Sequence, residues 1–359
     1  MSGFSELLAG FRELLEAEMN AWLGARRQQA RIELPEAGDL ADTVADLVLA
    51  GGKRLRPALV YFTFRACGGS DRSAVLPAAM ATELLHAYLL IHDDLMDHSA
   101  LRRGQPTPHV RYAELHRSQE WSGDSAEFGR AAAILLGDLA HSWAVERFSE
   151  SLLHPAAARR AGDLDRCFGE MCREVIGGQY LEMLLAVRRT ASEKDLLDVL
   201  RLKSGRYSVE RPMQLGALLA GAGDDVVTTL SGYGQAVGEA FQLQDDVLGL
   251  FGDPETVGKP VGSDLAEGKY TYLIHHTLEA VDDAEGERVR RALGRPDLAA
   301  DEVEAVLAII RRSGALEQVR SMIAERLDEA RRVLAGMAFG GPENAFFAGL
   351  VDRMAERER

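Results

Sequence analysis

The stretch Leu84-Leu85-His86-Ala87-Tyr88-Leu89-Leu90-Ile91-His92-Asp93-Asp94-Leu95-Met96-Asp97 decides how this chain folds. From Leu84 to Ile91 it is apolar nearly all round, His86 excepted. A helix with no polar face has nothing to turn toward water, so it belongs in the centre of a helical fold. The helix is predicted over about Ser73 to Asp97, and its end is abruptly acidic. Asp93 and Asp97 are four positions apart, so their carboxylates share a helix face and repel by roughly a few tenths of a kcal/mol. A divalent cation would offset that repulsion. Magnesium suits the pattern, because it takes one or two carboxylates and fills the rest of its shell with water and phosphate oxygens.

The remainder of the chain reads the same way. Phe4, Leu7, Leu8, Phe11, Leu14 and Leu15 mark one face of a first helix, and Pro35 falls in the break after it. A second helix is expected from about Asp39 to Ala50, stopping at Gly51-Gly52, with Pro57 in the first turn of a third. Further helices are predicted over 128–153, 164–187, 193–207, 212–222 and 225–251, and again from Ala299 to the end. Gly232, Gly234 and Gly238 interrupt the helix over 225–251, where they weaken it but let a neighbour come close. Pro254 and Pro260 make 252–268 read as a loop.

Composition agrees. Of 359 residues, 47% are hydrophobic but only 6% aromatic, and strand-forming runs are scarce, which favours helix packed on helix. No repeat or linker is evident, so a single all-α domain over 1–359 is expected. The net charge of −15 would repel nucleic acid and anionic lipid. Cys67, Cys167 and Cys172 are an odd count without framework spacing, as expected of reduced thiols filling apolar gaps. The first residues lack the basic-then-apolar order of a secretory signal, and no run approaches the ~18–20 uninterrupted apolar residues of a membrane span. A cytoplasmic protein without stable membrane insertion is the expectation.

In so acidic a chain, local clusters of cations stand out. Gly51-Gly52-Lys53-Arg54-Leu55-Arg56-Pro57 sets three cations between two helices, where backbone N–H groups at a helix N-terminus also favour anions. Arg102-Arg103-Gly104 follows just beyond Asp97. A second acidic pair, Asp245-Asp246, sits in Phe241-Gln242-Leu243-Gln244-Asp245-Asp246-Val247-Leu248-Gly249. Two carboxylate pairs that could face each other across a cavity, beside two cationic clusters, suit two diphosphates held by metal on one side and by Lys or Arg on the other.

These stretches, taken in order, resemble the signatures of the trans-isoprenyl diphosphate synthases, also called the polyprenyl synthetases. Gly51–Pro57 is similar to that family's isopentenyl diphosphate site and Asp93–Asp97 to its first aspartate-rich motif. Arg102-Arg103-Gly104 follows at the usual place. Gly178-Gln179 with Glu182 resembles the mid-chain Gly-Gln element, and Lys203-Ser204 with Tyr207 the Lys-Thr element. Phe241-Gln242 with Asp245-Asp246 resembles the second aspartate-rich motif, and Lys259 and Gly268-Lys269 the lysines after it. The match runs from about Gly51 to Lys269.

The resemblance implies an all-α isoprenoid synthase fold with helices around a deep central cavity. It implies a magnesium-dependent head-to-tail condensation of isopentenyl diphosphate with allylic diphosphates, and a homodimer. Lys53, Arg56, His86 and Arg103 would hold isopentenyl diphosphate. Asp93, Asp97 and Asp245 would bind magnesium on the allylic diphosphate, with Asp94 and Asp246 completing the two motifs. Arg102, Lys203, Lys259 and Lys269 would grip that same diphosphate. Gln179 and Gln242 would line the reaction zone, and Glu182 would help the metal. One position departs: the second motif ordinarily carries an aspartate four residues after its first, and here Gly249 stands there, with Asp253 the next carboxylate.

The resemblance also bears on the product. Tyr88 and Leu89 lie one turn before the aspartates, and a bulky aromatic at the place of Tyr88 forms the floor of similar sites. With no second aromatic at Leu89, the twenty-carbon geranylgeranyl diphosphate is favoured, and fifteen-carbon farnesyl diphosphate is next. Two other readings compete. A terpene cyclase needs only one diphosphate and would leave Lys53–Arg56 unexplained. A non-catalytic subunit that modulates a prenyl synthase is favoured only by Gly249.

Overall fold

A computed structural model describes residues 2–252, 261–295, 297–337 and 339–356. The chain is all-α: apart from one minimal hairpin, the regular structure among the described residues is helical. It divides into two compact units, Met1–Leu164 with Leu215–Ala222, and Asp165–Gln214 with Gly223–Arg359.

In the first unit, α1 (Ser2–Glu33) buries Phe11, Leu15, Met19 and Leu23, one turn apart, on a single stripe. A 3₁₀ turn at Pro35–Ala37 leads into α2 (Gly38–Leu49), which ends at Gly51-Gly52 as expected. Then come α3 (Leu55–Ala66) and α4 (Arg72–Met96). The side chain of Asp71 starts α4 by accepting from the backbone N–H of Ser73 at 2.9 Å. From Ala74 to Leu85 every residue of α4 is buried, beneath α3 and α6 (Ser125–Leu153). By length and composition α4 could cross a membrane, but 83% of its most apolar window is buried inside the protein. This helix is the unit's core.

Two features in this unit were not expected. Between α4 and α5 (Pro108–Ser118) the chain forms a hairpin of β1 (Leu101–Arg102) and β2 (Gln105–Pro106), with Arg102 opposite Gln105. Its two-residue turn, Arg103-Gly104, has φ of 52° and 74°, the signature of a type I′ hairpin. The basic turn before α3 is also left-handed at Arg54, with φ of 54°.

The second unit is built on α7 (Ala161–Arg188) and α10 (Asp224–Phe251). A Ser192/Asp195 capping box opens α8 (Glu193–Val199), which runs without a break into a π-helical stretch, Leu200–Glu210, and on into α9 (Arg211–Leu219). The sequence suggested two helices separated near Pro212. Instead the helix continues, because the widened turn just before Pro212 gives its ring room and absorbs its missing N–H. Two of the three expected glycines do bring backbones together. A Cβ at Gly238 would fall 2.6 Å from the Gly205 carbonyl oxygen, and one at Gly234 would fall 2.7 Å from Glu210 Cα. Gly232 meets only a Val333 methyl, at 3.9 Å.

Of the stretch read as a loop, residues 253–260 lie outside the described residues. Beyond them stand α11 (Ser263–Glu267), α12 (Tyr272–Ala280) and α13 (Asp283–Ala292). The amphipathic C-terminal part forms α14 (Ala300–Arg312), α15 (Ala315–Gly336) and α16 (Gly341–Glu356). The last two brace α10. Buried Glu239 pairs with Arg326 at 2.6 Å, Tyr233 donates to the Phe347 carbonyl at 2.8 Å, and Gln244 donates to the Met354 carbonyl at 2.7 Å.

Candidate active site

In the first unit, the hairpin joins the acidic helix end to the basic turn. Asp97 caps α4, and Asp94, only 2% exposed, accepts two hydrogen bonds from Arg102, each 2.6 Å long. The next residue, Arg103, reaches the other way and donates to the Gly51 carbonyl at 2.5 Å. The I′ turn makes this possible, because it sends two adjacent side chains in different directions. The cations of two sequence clusters therefore meet beside the aspartates.

The three cations of the basic turn divide their work. The guanidinium of Arg54 is buried, bonded to Glu83 at 2.5 Å and to the Val48 carbonyl at 2.7 Å. Arg54 thus holds α2, α3 and α4 together, while Lys53 and Arg56 are left to serve a ligand. His86 lies in the same neighbourhood. Burial, together with Arg56, Arg102, Arg103 and Arg54, holds its imidazole well below the usual histidine range, so it is neutral at pH 7. A neutral ring among arginines can meet an anion as donor without adding another cation to the cluster.

The second unit gathers the other predicted residues. A Cβ at Gly178 would fall against the backbone of Leu202 and Lys203, so α7 and the π stretch touch there, and the Lys203 ammonium pairs with Glu182. Lys203 and Lys269 hold the Glu182 carboxyl below its ordinary range, against the opposing effect of its burial. Gln179, one turn earlier on α7, is buried, and neither its Nε2 nor its Oε1 has a hydrogen-bond partner among the described residues. A buried amide without partners marks a place where a ligand is expected. Along the same helix Ile176, Tyr180, Met183 and Val187 expose a stripe of apolar surface.

On α10, Gln242 donates to Asp246 at 2.6 Å. Burial and the neighbouring Asp264 push the Asp246 carboxyl well above its ordinary range, with Glu182 adding to the effect and Gln242 and Lys269 opposing it. Lys269 lies 3.6 Å from Asp264 and 2.5 Å from Glu267. The region therefore holds more buried carboxylate than its lysines neutralise, and it suits a divalent cation.

Residues 39–310 match the sequence model of the polyprenyl synthetase family. The geranylgeranyl diphosphate synthase of Methanosarcina mazei is 35% identical over 312 residues, 87% of this chain and 88% of that one. The geranylfarnesyl diphosphate synthase of Aeropyrum pernix is 33% identical, covering 87% and 92%. A crystal structure of geranylgeranyl pyrophosphate synthase from Corynebacterium glutamicum, complexed with isoprenyl diphosphate and magnesium, superposes with a TM-score of 0.92 at 32% identity, over 98% of this chain and 99% of that one. The chain belongs to the polyprenyl synthetase family. It is a prenyltransferase with the all-α fold of that family.

Not every residue that the family resemblance singled out has the surroundings its part suggests. Lys259 and Asp253 lie outside the described residues. Tyr88 is half-buried, its ring 4.9 Å from that of His92 and 5.0 Å from that of His141 on α6, whereas Leu89 turns into the core. One residue was missed altogether. A Cβ added to Gly249 would have the carboxylate of Asp264 as its nearest neighbour, well inside contact distance. The two positions are 15 apart in sequence (264 − 249), and no local pattern connects them.

Proposed function

We propose that this polyprenyl synthetase condenses isopentenyl diphosphate head to tail with allylic diphosphates, with geranylgeranyl diphosphate as its main product. The observation that carries the reading is the bridge made by Arg102 and Arg103, which ties the aspartates to the basic turn. A site that brackets a polyphosphate between carboxylates and guanidinium groups is built for that substrate class. The relatives named for geranylgeranyl synthesis support the chain length.

In this reading Lys53, Arg56, Arg103 and neutral His86 hold isopentenyl diphosphate. Arg102, fixed in direction by Asp94, faces the allylic diphosphate together with Lys203, Lys259 and Lys269. Asp93, Asp97 and Asp245 would hold a divalent metal, magnesium, which when bound supplies positive charge to the diphosphate leaving group. The allylic C–O bond breaks, and the alkene of isopentenyl diphosphate forms the new C–C bond. A proton is then lost, with the departing diphosphate as its acceptor. Gln179 and Gln242 line the reacting carbons, and the apolar stripe of α7 keeps water from an allylic cation.

The reading takes 1–359 as one polyprenyl synthetase domain acting as a cytoplasmic homodimer. Exposed Ile134, Leu135 and Val145 on α6 support a second copy as the partner of that face. The test is to incubate the protein and magnesium with isopentenyl diphosphate and each allylic diphosphate in turn, then measure product length. A twenty-carbon product is expected. A fifteen-carbon product keeps the enzyme class and overturns the chain length. No condensation with any starter overturns the reading.

A further inference from the structure

We propose that Asp264 supplies, from a different helix, the metal-holding carboxylate that α10 lacks at Gly249. The inference rests on the synthase reading and deepens it. Along α10, Gln242, Asp245 with Asp246, and Gly249 recur at helical spacing, so a side chain at 249 would continue the face that carries the motif. That space is already filled. The three nearest atoms to a Cβ at Gly249 are Oδ2, Cγ and Oδ1 of Asp264. An aspartate at 249 and the present Asp264 would therefore compete for one place, and only glycine lets the second occupy it.

The approach is built in, not incidental. Gly262, with φ of 73°, turns the chain into α11. The Ser263 hydroxyl donates to the Gly249 carbonyl at 3.4 Å. The backbone N–H of Lys269 bonds to the Asp264 carbonyl at 3.0 Å and closes the segment on itself. Asp264 is 8% exposed, with Lys269 at 3.6 Å. No arginine is among its ion-pair partners, although a buried carboxylate kept only for structure is well served by a guanidinium fork. Unpartnered Gln179, one turn from Glu182 on α7, points independently to a ligand in this unit. A bland alternative exists: Asp264 lies in the first turn of α11, where an acid favours the helix dipole. That part would be worth stability but not metal affinity.

The experiment compares the wild type with D264N, D264G, G249D and the double variant G249D/D264G, with D245N as a control. Each is checked for folding by circular dichroism. Manganese binding with inorganic diphosphate is then followed by electron paramagnetic resonance, and product formation is assayed separately. The expected result is a loss of metal affinity of about tenfold or more in D264N and D264G. G249D is impaired as well, and the double variant recovers most of the loss. D264N that is folded and binds manganese like the wild type overturns the proposal, as does a folded double variant no better than D264G. If G249D or the double variant fails to fold, D264N, which keeps the size of the side chain, still decides. A wild type that binds manganese but forms no prenyl product sinks the synthase reading and leaves the D264N comparison to judge Asp264. A wild type that does both, with D264N unchanged, sinks Asp264 alone.

Discussion

Arg103 donates to the carbonyl oxygen of Gly51 at 2.5 Å, across 52 positions of sequence. The bond poises one guanidinium over the basic turn that holds Lys53 and Arg56. Losing a charged hydrogen bond costs about 1.5–3 kcal/mol. R103A should therefore raise the KM for isopentenyl diphosphate by about 10–100-fold and change kcat less. R103K should recover only part, since an ammonium lacks the fork. Steady-state kinetics with each substrate varied in turn will check this; a rise confined to the allylic substrate would reassign Arg103.

Asp94 and Arg102 make the opposite kind of pair, set by the fold before any substrate arrives. Removing one partner of a buried pair costs roughly 3–5 kcal/mol, because the other charge is left alone. D94A should lower the denaturation midpoint clearly, and D94A/R102A should lower it less than the two single losses added together. Urea unfolding of the four proteins measures the coupling. Additive losses would show that the pair is not a unit.

His86 gives a pH dependence with a definite sign. Its folded pKa lies below the unfolded value of 6.5, so the unfolded chain binds the proton first as pH falls. The neutral ring's contribution is complete above pH 6.5 and is lost below it, by at most about 1.4 kcal/mol per pH unit. Unfolding free energies at pH 7.5 and 5.5 should diverge more for the wild type than for H86Q. An equal difference in both would remove His86 as the cause.

Two glycines of α10 separate packing from propensity. G238A must push against the Gly205 carbonyl and should cost about 1–3 kcal/mol. G232A meets only a distant methyl and should be neutral or stabilising by about 0.4–1 kcal/mol. Thermal melts of both variants suffice. A neutral G238A would mean that the helices can part without cost.

Tyr88 bears on chain length. Its ring, set against His92 and His141, is held in place, and it is not fully buried. Y88A should lengthen the product beyond twenty carbons and leave the first condensation nearly unchanged. Chromatography of the dephosphorylated products tests this; an unaltered distribution places the floor elsewhere.

Much of this was legible in the sequence because it is periodic or ordered along the chain. The burial of α4, its acidic end and the succession of motifs are local patterns, and they held. The division of labour at Lys53-Arg54-Leu55-Arg56 was not legible. Neighbouring cations look alike until a left-handed residue turns one inward to Glu83, 29 positions away. The hairpin was hidden because two-residue strands leave no alternation to read, although Arg103-Gly104 fits its turn. The role proposed for Asp264 depends on an approach between segments, and hydrophobic pattern carries no such information.

The π-helical stretch beneath Lys203 has a consequence for how this chain can vary. Its i→i+5 bonding lodges surplus backbone inside a helix that is otherwise continuous from Glu193 to Leu219. Three side chains on or beside it answer to one neighbour: Lys203 to Glu182, and Arg206 and Arg211 to Glu174, all on α7. Deleting a single residue between 200 and 210 would let the helix relax to α geometry, and it would rotate everything before the deletion by about 100° against everything after it. The helix would survive while its three ionic contacts fell out of phase. Substitutions here can be absorbed one at a time, but a change in length cannot.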